Sequence, residues 1–84
     1  EIKEILSLAV WPNPSSGSYN VRPPVDKVGT LRVYNSIGKL VHSQKVESTS
    51  LITLENEPNG IYFFIFIGSK TGNLIARQRV VLHR

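Results

Sequence analysis

Apolar and polar residues alternate along much of this chain with a period of about two, which places successive side chains on opposite faces of a strand. Leu6, Leu8 and Val10 alternate with Ser7, Ala9 and Trp11, and Tyr19 and Val21 with Asn20 and Arg22. Leu31 and Val33 alternate with Arg32 and Tyr34, and Leu40–Val46 is placed to return beside them. Leu51–Leu54 reads as a short strand. Ile61–Ile67 is apolar or aromatic throughout, which predicts a strand buried on both faces. On that reading Val33, Phe63 and Ile65 are core residues, and Phe63→Ala costs about 3–5 kcal/mol. Leu74–Leu82 sets Ala76, Gln78, Val80 and Leu82 on one face against Ile75, Arg77, Arg79 and Val81 on the other. No helix-length window carries a helical period, and the Val, Ile, Thr and aromatic residues that fill these runs suit a pleated surface.

Turn chemistry separates the runs. Pro12-Asn13-Pro14-Ser15-Ser16-Gly17 is a turn cluster in which Pro14 keeps Asn13 out of the α region. Asn35-Ser36-Ile37-Gly38 reads as a hairpin loop, with Gly38 supplying a positive φ. Pro58-Asn59-Gly60 and the segment Gly68–Gly72 are two more turns. Short strands punctuated every ~8–12 residues predict an all-β fold, an immunoglobulin-like antiparallel β-sandwich of about seven strands.

Length and composition narrow what such a fold can be. The 84 residues make one domain, because either half would be too small to fold unaided. Residues AVILMFWYC are 40% of the chain and DEKR 19%, the balance of a packed domain and not of a disordered tail. With no cysteine, neither a disulfide nor a thiolate metal site supports it. The longest apolar run falls far short of the ~20 residues of a membrane-spanning helix. No secretory leader pattern opens the chain, and its first residue is not methionine, so it reads as a piece of a longer precursor.

Catalytic and ligand chemistry find little to build on. His42 and His83 are the only histidines, and no Asp or Glu lies within four positions of either. Asp26 is the sole aspartate, and no serine sits in a G-x-S-x-G elbow. Glu47, Glu55 and Glu57 lie in or beside turns, where solvation is the expected role. The reading is no enzyme, no metal, no cofactor and no small-molecule substrate. A net charge of +4 and a pI of about 9.8 raise nucleic-acid binding as a question. The basic residues are scattered, however, and Tyr62, Phe64 and Phe66 share a strand without charge that reads as core. The expectation is a monomer that binds no nucleic acid and is itself recognised by other proteins.

Three segments together resemble one family. Val10–Val21 is similar to the opening (aromatic)-P-N-P-x-x-G-x-(aromatic)-x-V of the type A C-terminal sorting domains of the type IX (Por) secretion system. Leu31–Val41 resembles their central V-x-V-Y-(D/N)-x-x-G-K-x-V, and the stretch from Pro58 to Leu82 resembles their closing P-x-G-(I/V)-Y hairpin. Trp11 stands where Tyr or Phe is commoner, and Arg79 and Arg84 stand where lysine is usual. Arginine keeps the charge but not the geometry of lysine.

The resemblance implies a domain at the C-terminus of exported cargo. The cargo reaches the periplasm by a signal peptide, and the outer-membrane translocon and shuttle proteins recognise the folded domain. A surface sortase then removes it, leaving the cargo at the cell surface or released. It also implies a set of motif residues: Pro12, Asn13, Pro14, Gly17, Gly38, Lys39, Gly60, Arg77, Arg79 and Arg84. For the prolines and glycines a turn-forming role is as good an account as contact. Arg77 and Arg79 share one face of the last strand, as an exposed docking strip or as plain solvation. A terminal strand also offers unpaired backbone groups to an incoming chain. The rival reading is an immunoglobulin- or fibronectin-like accessory module of a secreted enzyme or adhesin, or a carbohydrate-binding one. A sugar site would want a flat set of exposed aromatics, and the single Trp11 adjoins a turn.

Overall fold

The computed structural model describes residues 5–84. Eight strands follow one another: β1 (Leu6–Ser7), β2 (Ala9–Trp11), β3 (Ser18–Arg22), β4 (Gly29–Asn35), β5 (Leu40–Val46), β6 (Ser50–Thr53), β7 (Gly60–Gly68) and β8 (Leu74–Leu82). They form a five-stranded sheet, β1-β8-β7-β4-β5, packed on a three-stranded sheet, β2-β3-β6. No helix occurs among the described residues.

The predicted count of about seven becomes eight because the first strand changes sheet. β1 pairs in parallel with β8, and β2 pairs antiparallel with β3. Leu8 marks the crossing: its side chain is buried, and its N–H donates to the Arg77 carbonyl at 3.0 Å. An apolar side chain at the switch keeps the core continuous while the backbone transfers its hydrogen bonds.

The alternation predicted for β3, β4 and β8 appears as alternating burial. Tyr19 and Val21, Leu31 and Val33, and Ala76, Val80 and Leu82 all enter the core. Tyr62, Phe64 and Phe66 join them from β7, and Val46, Ile52 and Leu54 complete the layer between the sheets. Tyr19 meets Phe64 edge-on, with centroids 5.2 Å apart and planes at 67°, one of the favourable aromatic geometries.

Two expectations about β7 and β8 are corrected. Phe63 is 39% exposed and Ile65 only partly buried, so neither is core; Val33 is. The reason lies in the layer count. The three-stranded sheet covers one face of β7, and alternation turns Phe63 and Ile65 to the other. The second correction concerns Ile75, assigned to the face of Arg77 and Arg79. The register skips it, from Phe66 opposite Ala76 to Ile67 opposite Leu74, and the bulge lets Ile75 pack on the core. Gly68 leaves the space this needs, since a Cβ there would lie 2.4 Å from Ile75 Cδ1.

Candidate recognition surface

The P-N-P segment answers a backbone question: what pairs with the outer edge of β8 beyond the short β1? The Asn13 side-chain amide does. Its Oδ1 accepts the Val81 N–H at 2.9 Å, and its Nδ2 donates to the Arg79 carbonyl at 3.1 Å. A primary amide presents one donor and one acceptor as a peptide group does, so Asn13 stands in for a strand residue. Ser15 continues the edge: its N–H donates to Val81 O at 3.1 Å, and its carbonyl accepts His83 N–H at 2.9 Å. The buried Ser15 hydroxyl accepts from Gly17 N and Ser18 N at 3.1 Å each and donates to Ser18 O. The expected open terminal edge is therefore closed, because β1, Asn13 and Ser15 occupy it in succession.

Arg84 closes the other side of this corner. Its guanidinium donates to the carbonyls of Leu54, Glu55 and Glu57, and its N–H donates to Asn59 Oδ1 at 3.0 Å. A planar fork with several N–H donors suits a loop whose carbonyls converge. The Tyr62 hydroxyl donates to Pro58 O at 2.6 Å, fixing the turn that precedes it, and Gly60 sits at φ 152°. From the opposite sheet the Tyr19 hydroxyl donates to Val81 O at 2.6 Å. Burial pushes both phenols above their usual pKa of 10.0. The neighbouring Tyr62 adds to this at Tyr19 and Glu57 adds to it at Tyr62, while Arg84 opposes both.

Gly38 and Lys39 belong to the β4–β5 hairpin. Asn35 Oδ1 accepts the N–H groups of Ile37 at 3.1 Å and Lys39 at 2.9 Å. Gly38 adopts φ 86°, a value that side-chain-bearing residues rarely take, so the turn itself accounts for the glycine. The Lys39 side chain is exposed.

The register gathers most motif residues at one end of the sandwich. Asn35 lies opposite Tyr62 and Tyr62 opposite Val80, so β4 leaves, β7 begins and β8 finishes at the same end. Asn13, Ser15, Gly17, Gly60 and Arg84 meet there, and the Gly38–Lys39 turn projects from the same end on a separate hairpin. Arg77 and Arg79 are elsewhere, exposed on the outer face of β8 opposite Ile65 and Phe63. Sequence reasoning missed Ser15, Tyr19, Asn35 and Asn59. Ser15 was readable as a Ser two residues before a turn glycine, and Asn35 as an Asx turn opening a hairpin. Tyr19 and Asn59 had no such signal, since their partners lie 62 and 25 positions away.

Among the described residues, no three His, Cys, Asp or Glu side chains gather as a metal-binding group. The His42 ring lies 2.8 Å from the Gln44 side-chain oxygen. Fold and site thus define a small β-sandwich whose polar groups lock its own corner together. The sequence profile of the family described as the secretion system C-terminal sorting domain matches residues 9–82. The chain belongs to that family, whose members are C-terminal sorting signals for type IX secretion. Among curated proteins, none matches the chain. Membership implies a secreted protein and an interaction with the type IX machinery, and the family's role as a sorting signal is a non-enzymatic one.

Proposed function

We propose that residues 1–84 act as one sorting domain, sufficient to carry a passenger joined to its N-terminal side across the outer membrane. On this reading the passenger crosses the periplasm and the outer-membrane translocon reads the domain in its folded form. Shuttle proteins and a surface sortase then complete delivery to the cell surface or the medium. The observation that carries the reading is the corner itself. The motif residues Asn13 and Arg84, far apart in sequence, are held there by hydrogen bonds that exist only in the folded chain, Asn13 to β8 and Arg84 to Asn59 and the Leu54 carbonyl. A domain locked at this corner presents its surface to the machinery only once the fold is complete.

The test is a fusion of the 84 residues to the C-terminus of a periplasm-targeted fluorescent protein, in a host that has the system. The fusion should reach the surface or the medium, and a host without the translocon should retain it. Deleting Val80 to Arg84 removes two core side chains and the Arg84 contacts, so it should abolish both folding and export. A folded, intact fusion held in the periplasm of the competent host would refute the reading in favour of an accessory module.

A further inference from the structure

The two sheets leave β7 with an uncovered face, and the register shows what surrounds it. Phe63 lies between Arg79 of β8 and Tyr34 of β4, and Ile65 lies between Arg77 and Arg32. The result is an apolar centre with arginines on both sides. Ile61 continues the apolar stripe along β7 and is 39% exposed, as is Phe63. Towards β5, Arg32 faces Ser43 and Thr30 faces Lys45, so among the described residues no carboxylate enters these rows. The side chains of Phe63, Ile65, Arg77 and Arg79 also line a shallow groove against Ile5 and Ser7.

We propose that this outer face is where the domain docks, on a protein surface of the secretion machinery that has an apolar centre and an acidic rim. The proposal rests on the sorting reading and names the surface and the partner chemistry for it. Charge complementarity selects the occupant. A second copy placed face to face would set arginine against arginine, and its own face supplies no acidic group along these rows. A nucleic-acid strand would use a row of exposed aromatic rings as stacking platforms, whereas the stripe along β7 here is Ile61, Phe63 and Ile65, with Tyr34 half-buried beside Phe63. Isoleucine and Phe match apolar side chains, and arginine beside them pairs with carboxylates in two-pronged geometry. The corner cannot serve as readily, because its donors and acceptors are already engaged with each other.

The experiment measures binding of the 84-residue chain to the detergent-solubilised type IX outer-membrane complex, alongside export of the fluorescent fusion. The variants are Arg77→Glu with Arg79→Glu, Phe63→Ser, and Lys70→Glu as a control in the β7–β8 turn. Circular dichroism and melting temperature establish that each is folded, which the exposed arginine pair guards even if Phe63→Ser is not. The double reversal should weaken binding about 30-fold and cut export in parallel, with affinity falling as salt rises. Lys70→Glu should change neither. Export and binding unaffected by both face variants would overturn the docking face and leave the sorting reading standing. A wild-type fusion retained while folded would overturn both. Tighter, Arg77- and Arg79-dependent binding to single-stranded oligodeoxythymidine or to phosphatidylglycerol vesicles than to the complex would overturn the protein partner.

Discussion

The two faces of β7 carry almost the same kind of side chain and do opposite things. Tyr62, Phe64 and Phe66 point between the sheets at 2% exposure or less, while Ile61 and Phe63 stand at 39% on the outside. Hydrophobicity along the strand cannot separate them. What separates them is that the second sheet covers one side, and that the neighbours differ. Inside, Phe64 meets Tyr19 edge-on; outside, Phe63 is bracketed by Arg79 and Tyr34. The comparison teaches that an all-apolar strand is not evidence of burial on both faces when the partner sheet is narrow. Together with the docking proposal, it divides the molecule by role, with stability on the inner face and recognition on the outer.

The sharpest way to break that division is a pair of identical truncations. Phe64→Ala should cost about 3–5 kcal/mol in denaturant unfolding, as a fully buried aromatic does. Phe63→Ala should cost about 1–2 kcal/mol, because much of its surface is already in water. Equal losses at the two positions would mean that the outer face is covered after all.

The inner face also makes a prediction in alkali. Burial raises the Tyr19 and Tyr62 phenols above 10.0 in the folded chain. Between the unfolded and folded values the native state therefore holds more protons than the unfolded one. The stabilisation is complete below 10.0 and is lost as pH rises through the folded values. Melting followed from neutral pH upward should show this decline, and Tyr19→Phe should flatten it. A parent whose melting temperature held constant well above pH 10.0 would contradict the assignment.

A smaller effect is expected at the β8 edge. Asn13→Ala removes one donor and one acceptor from backbone groups near solvent and should cost about 1–2 kcal/mol. Asn13→Asp is the sharper variant. It keeps an acceptor for the Val81 N–H but sets a carboxylate against the Arg79 carbonyl, so it should not recover the lost stability near neutral pH. Recovery by aspartate would mean that only the Val81 hydrogen bond matters. Amide exchange at Val81 and His83 reads the same edge directly, and both should become less protected in Asn13→Ala.

Much of this was legible beforehand. The alternation in β3, β4 and β8 fixed which residues face inward, since period-two patterning is local and needs no partner to be read. The turn residues marked the loops for the same reason: Gly38 and Gly60 adopt the positive φ values their positions called for. The P-N-P, G-K and P-x-G-I-Y segments pointed to the family that the sequence profile identifies over residues 9–82. Their physical roles were not legible. Nothing near Asn13 indicates that its amide pairs with the peptide groups of a strand 66 to 68 positions later, or that Arg84 collects the carbonyls of a loop about 30 positions earlier. The β1-to-β2 sheet switch and the Ile75 bulge were hidden likewise, because both depend on which strand lies alongside. Local sequence settled where the chain extends, turns and alternates, through backbone sterics and side-chain period. Coverage of a face and closure of an edge were decided only by tertiary structure, because each is a relation between segments that the chain brings together only on folding.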